Sequence, residues 1–278
     1  MKIKNWINYL ILCSLCFIPK LQVFSQTELT VITFNIKSFE GDTEQGTFDV
    51  TPYAEHLRPH NADFIMLNEV ENRSSRMMIN GKYRDVVQEL ANQLNMFAIF
   101  GYSYNLSNKD GKQPEENYTY CENELYGNAI LSKYPILSSN VIRLPRPSGS
   151  ADQRGVLTAD ILLPSQTVIR VAVTHLDHIA GQKIQSDVLI SDKVLDESMP
   201  VLLAGDMNQD VYDDAIQNLT TRYERLDNDN GTYGVSKLDY ILGTKEKWER
   251  ISCEVLSNYY KGMYLSDHNP VKSIIRLK

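Results

Sequence analysis

The sequence predicts an α/β or α+β domain built from layers of strands and helices. From Leu29 onward, short apolar runs alternate with helical patterns, and several of these runs end on a polar or acidic residue. Most runs are nearly continuous valine, isoleucine and leucine, which is typical of strands covered on both faces. The 278 residues are 42% hydrophobic and 23% charged, so the composition is that of an ordinary globular protein with a sizeable core.

The apolar runs predict eight strands, which are Leu29–Ile36, Asp63–Val70, Asn128–Ser132, Gly155–Leu163, Val168–His175, Val201–Gly205, Leu238–Leu242 and Val271–Leu277. Apolar residues spaced by three and four predict helices over Tyr83–Leu94 and Ile184–Leu195. A third helix is expected to start at Thr51-Pro52, because proline is tolerated in the first helical turn. Two polar stretches predict surface loops, Ser103–Asn123 and Asp227–Gly234.

The first 25 residues read as a secretory signal peptide. Lys2 and Lys4 precede a charge-free apolar run from Asn5 to Pro19, and small or polar residues follow at Ser25 and Gln26. We therefore expect cleavage near Ser25, a single catalytic domain over residues 26–278, and a periplasmic, extracellular or cell-surface location. An uncleaved anchor, or a lipid attached to a cysteine of this segment, is the alternative.

Charge restricts the possible partners. The segment 1–25 holds three lysines and no acidic residue, so its removal changes the formal charge from −7 to −10. Proteins that hold duplex nucleic acid without sequence preference usually present a basic surface to the phosphates. We therefore expect no stable duplex-DNA binding. We also expect no integral membrane partner and a monomer. Cys121 and Cys253 remain after cleavage, either as a disulfide or as two separate buried thiols.

Polar residues concentrate at the ends of the predicted strands. They are Asn35, Glu69, His175, Asp206, Asn208, Asp239, Asp267 and His268. Such residues cluster in space when their strands are neighbours. Carboxylate and amide oxygens suit a hard divalent cation, and imidazoles titrate near neutrality. This set suits hydrolysis of a phosphoester, in which a cation neutralises the phosphate and a carboxylate orients the attacking water.

The order and wording of these clusters resemble the endonuclease/exonuclease/phosphatase superfamily of deoxyribonuclease I-like enzymes. The matching segments are TFNI, NEVE, YGNAILS, RGVL, THLDH, GDMN, LDYIL and SDHNP, and they extend over essentially the whole mature chain. The resemblance implies a four-layer sandwich, with two mixed β-sheets packed face to face and helices on the outside. It also implies a metal-dependent phosphoester hydrolase with its site at one edge of the sandwich.

The resemblance assigns roles to the strand-end residues. Glu69 would be the principal ligand of Mg²⁺, or of Mn²⁺, with Asn35 and Asp267 alongside. Asp206 would orient or deprotonate the attacking water, and Asn208 would hold that water or the phosphate. His175 would contact the phosphate or the leaving oxygen. His268 would donate to a phosphate oxygen, and Asp239 would pair with His268.

Five further residues are candidates for substrate binding. Glu124 matches a glutamate that lies beside the equivalent of His175 in the deoxyribonuclease branch. Arg154 would reach a phosphate, or is simply an exposed strand residue, and Asn128 would line the site or satisfy a turn. Asp177 and His178 would contact the substrate or only shape their loop.

Lys37 departs from the pattern of one branch of the superfamily. Apurinic endonucleases carry an acidic residue two places after the strand-end asparagine, where this chain has lysine. This departure, the acidic net charge and the predicted export argue against a role in the repair of abasic sites. The expected substrates are small or single-stranded nucleic acids or other phosphodiesters. A phospholipid or sugar-phosphate esterase is the alternative within the fold, and a non-catalytic secreted binding module is the distant alternative.

Overall fold

The computed structural model describes residues 28–41, 48–107, 122–196 and 198–278. The strands are β1 (Glu28–Asn35), β2 (Phe64–Asn72), β3 (Phe97–Asn105), β4 (Leu125–Ser132), β5 (Ile136–Arg143), β6 (Gly155–Leu162), β7 (Val168–His175), β8 (Val201–Asp206), β9 (Tyr223–Arg225), β10 (Asp239–Thr244), β11 (Trp248–Val255), β12 (Tyr259–Tyr260), β13 (Met263–Tyr264) and β14 (Val271–Leu277). The helices are α1 (Thr51–Leu57), α2 (Val86–Leu94), α3 (Gln182–Leu189) and α4 (Asp214–Leu219), and three short 3-10 turns are Lys37–Phe39, Arg58–His60 and Ser75–Met77.

Two six-stranded mixed sheets form the body of the protein. The first has the order β11-β14-β1-β2-β4-β3, and the second has the order β5-β6-β7-β8-β10-β9. One neighbouring pair in each sheet is parallel, β1 with β2 and β7 with β8, and the other neighbours are antiparallel. The strands β12 and β13 form a separate hairpin.

Three buried clusters divide the molecule into four layers. The cluster that contains Val31, Phe64 and Leu202 joins the inner faces of the two sheets. A second cluster packs α1 and α2 on the outer face of the first sheet, and a third packs α3 and α4 on the outer face of the second. Burial of apolar side chains in all three clusters stabilises the stack. The four-layer sandwich predicted from the sequence is confirmed.

The sequence located the inner strands well and missed those at the sheet edges. The predicted bounds of β7 and β14 agree with the structure, and α1 begins at Thr51 as expected. The unpredicted elements are β3, β5, β9, β11, the hairpin β12–β13 and α4. Residues 103–105 belong to β3 instead of the predicted loop, and α2 begins only at Val86. The second predicted helix ends at Leu189, so it is shorter than expected.

Strand pairing places the polar strand ends at one edge of the sandwich. Asn35 is the register partner of Asn68, the neighbour of Glu69. In the second sheet, Asp206 is the register partner of both His175 and Asp239. Five chain segments, the ends of β1, β7 and β8, the start of β10 and the middle of β2, therefore converge on one edge, as expected for ligand sites in α/β sheets.

Gly205 makes the close approach of β7 and β8 possible next to this edge. Its φ is +134°, and a Cβ at this position would lie 1.9 Å from the carbonyl oxygen of Thr174. Glycine is the residue that tolerates such a conformation and such a close neighbouring backbone. The backbone of Asp206 is therefore fixed by the residue that precedes it.

Three sequence predictions concern segments that the structure does not describe. The proposed signal segment 1–25 and residues 108–121 of the predicted loop Ser103–Asn123 lie outside the described residues. Cys121 lies outside them as well, so the pairing of Cys121 with Cys253 stays open. Cys253 itself is partly buried on β11. In the part of the chain that is described, no helix is long and apolar enough to cross a bilayer.

Candidate active site

The strand ends surround an open cleft of about 360 Å³. Its lining includes Glu69, Arg154, His175, Asp206, Asp267 and His268. Asn208 and His178 line it as well, so eight of the thirteen predicted site residues line the cleft. The strand-end residues therefore converge in space.

Asn35 joins the predicted metal side of the cleft to the predicted catalytic carboxylate. Its Nδ2 donates to Glu69 Oε1 at 2.9 Å and to Asp206 Oδ2 at 3.0 Å. Its Oδ1 accepts a hydrogen bond from the backbone of Lys37 at 3.2 Å. Both ends of the amide are thus engaged, and the fully buried Asn35 fixes the spacing of two carboxylates.

Backbone irregularities aim the metal-side residues at the cleft. Glu69 has a φ of +54° at a register shift in the pairing of β2 with β4, which is a β-bulge that redirects a side chain. Lys37, Ser38 and Phe39 have φ values of 45°, 55° and 58°. Such left-handed residues cost about 1–3 kcal/mol each and persist where surrounding packing holds them. Here Phe39 packs edge-on against Tyr53 with ring centroids 4.9 Å apart.

Lys37 forms an ion pair within the predicted metal site. Its Nζ lies 3.2 Å from Asp267 Oδ2, and both side chains are 42% exposed. The hydrogen bond to Asp267 raises the pKa of Lys37, and the nearby charge of Glu69 adds to this effect. In this structure the ammonium therefore supplies the positive charge that Asp267 would otherwise share with a cation.

The donor set on this side of the cleft is compatible with a divalent cation. Glu69 and Asp267 both line the cleft, and carboxylates are the preferred ligands of Mg²⁺ and Mn²⁺. An exposed ion pair such as Lys37–Asp267 contributes only about 0–1 kcal/mol, so a divalent ion can displace the ammonium. Glu69 and Asp267 would hold the ion, while Asn35, with both polar atoms engaged, would support Glu69.

Asp206 occupies the centre of the arrangement. Its Oδ2 lies 3.5 Å from His175 Nε2 and 3.7 Å from His268 Nε2, and the carboxylate is almost completely buried. Its Oδ1 accepts a hydrogen bond from the backbone of Asn208 at 2.9 Å. Burial and the negative charge of Asp239 raise the pKa of Asp206 to about 7. A carboxylate poised near neutrality is suited to accept a proton from water.

His268 and Asp239 form a buried dyad beside Asp206. His268 Nδ1 lies 2.8 Å from Asp239 Oδ2, and Asp239 is fully buried. Burial disfavours the imidazolium, but the hydrogen bond and charge of Asp239, with the charge of Asp206, raise the pKa of His268 to about 9. His268 is therefore a cation at neutral pH. A charged imidazole is what the predicted role, donation to a phosphate oxygen, requires.

His175 has the opposite character. Its burial, followed by the positive charge of Arg154, lowers its pKa well below the usual value. Asn208 Nδ2 lies 2.8 Å from His175 Nε2 and donates to the carbonyl of Leu176 at 3.0 Å. An amide that donates to Nε2 leaves the ring's proton on Nδ1. The cleft thus combines one neutral and one charged histidine.

The three side chains Asp206, Asp239 and His268 also lie close enough together to surround a cation. Two of the three are already joined directly, because His268 Nδ1 lies 2.8 Å from Asp239 Oδ2. We therefore interpret this cluster as a proton-holding dyad next to a carboxylate.

Asn68 is a site residue that the sequence analysis missed. Its Nδ2 donates to Asn128 Oδ1 at 2.9 Å and to the Thr174 carbonyl at 2.8 Å, and its Oδ1 accepts from the backbone of Asp206 at 3.0 Å. Asn128 in turn donates to the carbonyl of Gly155 at 3.0 Å. This buried chain of amides connects the two sheets and holds Asp206 in place. The available signal was an asparagine immediately before Glu69 in an otherwise apolar strand.

Arg154 is the arginine that lines the cleft. The residue is 5% exposed, its Nε has no hydrogen-bond partner among the described residues, and its guanidinium approaches His178 Nδ1 at 3.4 Å. A buried guanidinium without a carboxylate partner in the described chain favours an incoming anion. Tyr233 adds an aromatic face, with its ring centroid 4.9 Å from that of His268.

Three substrate-binding candidates have other partners. Glu124 does not line the cleft, and its Oε1 accepts a hydrogen bond from the backbone of Ser75 at 2.9 Å. Asp177 accepts four backbone hydrogen bonds, including Ala151 at 2.8 Å and Ile179 at 2.8 Å, so it shapes its loop. Asn128 belongs to the buried amide chain. His178 and Arg154 are the candidates that face the cleft.

Comparison with known proteins agrees with this geometry. The model of the Endonuclease/Exonuclease/phosphatase family matches residues 32–268, a range that contains every predicted site residue. No curated protein matches the chain significantly.

Several solved structures share the fold. An endonuclease/exonuclease/phosphatase from Beutenbergia cavernae DSM 12333 has 23% identity and a TM-score of 0.70, over 91% of this chain and 72% of its own. The mannosyl-6-phosphatase of Bacteroides thetaiotaomicron VPI-5482 has 15% identity and a TM-score of 0.66, over 89% and 99%. The catalytic domain of human Nocturnin with bound sulfate has 16% identity and a TM-score of 0.63, over 91% and 97%. At these identities the likeness shows the fold alone.

Proposed function

Because the chain belongs to the Endonuclease/Exonuclease/phosphatase family, whose members are phosphoester hydrolases, we propose that it is a Mg²⁺-dependent phosphodiesterase that cleaves a P–O bond with water. The observation that carries the proposal is the position of Asp206, which lies within 3.7 Å of two histidines and is hydrogen-bonded to Asn35. A carboxylate with a pKa of about 7 in an open cleft is equipped to activate water.

Each polar side chain of the cleft has a separate role in the hydrolysis. Asp206 accepts the proton of the attacking water, and Asn208 fixes the loop and the tautomer of His175 beside it. His268 carries a positive charge toward the phosphate oxygens, because Asp239 holds its other nitrogen. A water that attacks in line with the leaving oxygen requires no covalent enzyme intermediate.

Glu69 and Asp267 are the residues that would hold Mg²⁺ or Mn²⁺. When bound, the cation neutralises phosphate charge and polarises the P–O bond. Asn35 donates hydrogen bonds to both Glu69 and Asp206, so it keeps the metal-binding carboxylate and the catalytic carboxylate at a fixed separation. Lys37 balances Asp267 when the site lacks a cation.

Charge and shape support a small or single-stranded phosphodiester as the substrate. The formal charge of the chain is −7, which opposes extended contact with a polyanion such as duplex DNA. Arg154 and His268 provide local positive charge inside the cleft instead. This arrangement suits a substrate that inserts one phosphate.

A phospholipid or sugar-phosphate substrate is the second candidate. Exposed apolar side chains occur on three loops next to the strand ends of the second sheet: Ile179, Tyr212 and Val235 are 62%, 87% and 98% exposed. Such side chains favour contact with an apolar part of a substrate. The sugar-phosphate option is supported by the fold relative that is named a mannosyl-6-phosphatase.

We propose that the protein acts outside the cytoplasm. The support is the charged start and apolar run of residues 1–25 in the sequence. Mass spectrometry of the protein from cells and from the periplasm or medium tests it. A mature chain that begins near Gln26 is the expected result, and an intact N-terminus on all of the protein would contradict it.

A substrate panel tests the proposed activity. The purified protein is assayed with Mg²⁺, Mn²⁺ or EDTA on a bis-aryl phosphate, a mono-aryl phosphate, single- and double-stranded DNA, RNA, sphingomyelin and a hexose 6-phosphate. We expect faster cleavage of the diester than of the monoester, and loss of cleavage in EDTA. Preference for sphingomyelin or the hexose phosphate would favour the second candidate, and cleavage that EDTA does not reduce would overturn the metal-dependent proposal.

A further inference from the structure

Ser266 joins the loop that carries Asp267 and His268 to the end of β1. Its hydroxyl donates to the backbone carbonyl of Asn35 at 2.7 Å and accepts the backbone N–H of His268 at 3.2 Å. Ser266 is 5% exposed, so both hydrogen bonds are shielded from water. The predicted site residues do not include this serine, although it bonds to two of them.

The Ser266 hydroxyl also lies near the side chain of Asp267. Its Oγ is 3.4 Å from Asp267 Oδ1, whereas the carbonyl oxygen of Asn35 is 2.7 Å away. A serine hydroxyl has one proton to donate, and the shorter contact is the one that fits a hydrogen bond. The hydroxyl therefore holds the backbone on both sides of Asp267 and leaves the carboxylate to Lys37 or to a cation.

Asn35 is the common anchor of this loop and of the two central carboxylates. Its side-chain amide donates to Glu69 Oε1 and Asp206 Oδ2, and its backbone carbonyl accepts the Ser266 hydroxyl. Asn35 is fully buried at the end of β1. Displacement of Ser266 would therefore move its loop relative to Glu69 and Asp206.

Other hydrogen bonds hold the loop at neighbouring points. Tyr53 Oη donates to the carbonyl of Leu265, and Asn258 Nδ2 donates to the carbonyl of Ser266 at 2.6 Å. These bonds fix carbonyl groups, whereas the Ser266 hydroxyl contacts the backbone N–H of His268 itself. Loss of the hydroxyl should therefore loosen His268 within a loop that otherwise keeps its course.

We propose that Ser266 is a positioning residue that fixes its loop relative to the end of β1. It keeps Asp267 and His268 at working distance from the two carboxylates that Asn35 holds. The inference rests on the proposed phosphoester hydrolysis. Ser266 does not line the cleft, so it acts through the two residues that follow it. Its hydroxyl should therefore support both turnover and cation binding.

Ser273→Ala is the matched control for Ser266→Ala. Ser273 is fully buried on β14 and does not line the cleft, and its hydroxyl donates to the carbonyl of Leu226 at 2.7 Å. Each variant therefore loses a hydrogen bond of equal length from a buried serine to a backbone carbonyl. If the role of Ser266 were only structural, the two variants would change stability, turnover and cation binding alike.

Three quantities are measured for the unmodified protein and for each variant. They are kcat on the bis-aryl phosphate, Mn²⁺ affinity by isothermal titration without substrate, and the thermal unfolding temperature. We expect Ser266→Ala to lower kcat and Mn²⁺ affinity about tenfold each, because loss of a group that holds a metal ligand in place commonly costs about 10- to 100-fold. Ser273→Ala should lower the unfolding temperature and leave the other two quantities within about twofold, because it removes only a hydrogen bond.

Ser266→Cys replaces Ser266→Ala if the alanine variant does not fold. The thiol keeps nearly the size of the hydroxyl but is a weak donor and acceptor, so kcat and Mn²⁺ affinity should fall by a smaller factor. Unchanged kcat and Mn²⁺ affinity in the folded Ser266 variant would overturn the proposal, as would an equal loss of kcat in Ser273→Ala. Absence of phosphoester cleavage by the unmodified protein would instead overturn the proposed function, and the Mn²⁺ titration would still test the role of Ser266.

Discussion

His268 and Asp239 lie 29 residues apart in the sequence, and their Nδ1 and Oδ2 atoms are 2.8 Å apart in a buried position. Asp239 opens β10, whereas His268 lies in the loop just before β14 of the other sheet, which begins at Val271. The dyad therefore connects the two sheets at the edge that carries the cleft. Its geometry depends on the whole sandwich and not on one local motif.

Removal of either central group should abolish most of the activity. We expect Asp206→Asn and His268→Ala each to lower kcat by about 10² or more, because each removes a positioned proton acceptor or a charge-stabilising donor. His60→Ala, a histidine outside the cleft, serves as the control. Near-normal turnover in either site variant, with the circular dichroism spectrum unchanged, would remove the basis of the assignment.

Lys37 should weaken the binding of a cation in the resting protein. Since its ammonium competes for Asp267, Lys37→Met is expected to tighten Mn²⁺ binding up to about fivefold, the range that an exposed ion pair allows. Isothermal titration with Mn²⁺ in the absence of substrate measures this effect. Lys261→Met, which breaks the exposed pair with Glu55, is the control. Unchanged or weaker Mn²⁺ binding by Lys37→Met would contradict the competition.

Asn68 should contribute to both stability and turnover. Asn68→Ala leaves the amide of Asp206 and the carbonyl of Thr174 without their partner, at about 1–3 kcal/mol for each unsatisfied buried group. Urea unfolding and kcat are measured together, with the exposed Asn140→Ala as the control. A stability loss no greater than that of the control would show that the amide chain is dispensable.

Gly205 should tolerate no side chain. Alanine at this position would place its Cβ 1.9 Å from the Thr174 carbonyl, so Gly205→Ala is expected to destabilise the fold by more than about 2 kcal/mol or to prevent its formation. Gly234 also has a positive φ, of 55°, but open space around it, so Gly234→Ala should cost only about 1 kcal/mol. Equal unfolding midpoints for the two variants would contradict the close-approach argument.

His56, which does not line the cleft, should make the stability of the protein depend on pH. Burial, and then the charge of His60, lower the pKa of His56 below its value of 6.5 in an unfolded chain. The unfolded state therefore binds the proton more readily. The contribution of neutral His56 is complete above pH 6.5 and is lost as the pH falls below it.

The comparison with His56→Gln isolates this contribution from the other titrating groups. We expect the stability of the unmodified protein, relative to the variant, to decline between pH 7.5 and pH 5.5 in urea unfolding. Parallel pH profiles for the two proteins would mean that His56 titrates equally in the folded and unfolded chain.

The sequence predicts the inner strands because residues such as Val171, Val173 and Leu203 are buried from both sides. The sequence does not predict the edge strands β5 and β11, because they expose most of their residues and lack continuous apolar runs. Polar residues at strand ends were expected to cluster in space, and Asp206, His175 and His268 do line one cleft.

Relationships between distant side chains are the part that the sequence leaves undetermined. The amide chain through Asn68, the Lys37–Asp267 pair and the approach of Lys237 to Asp227 each depend on how separate segments pack. Glu124 matches a position of the related deoxyribonucleases, yet its side chain caps the turn at Ser75 and does not line the cleft.

The most direct test of the central claim is the rate of bis-aryl phosphate hydrolysis by the unmodified protein and by Asp206→Asn, each with Mg²⁺ and with EDTA. The account predicts turnover by the unmodified protein in Mg²⁺, and a rate about 10² or more lower in each of the other three conditions. Equal rates for the two proteins in Mg²⁺ would show that hydrolysis does not depend on the Asp206 site.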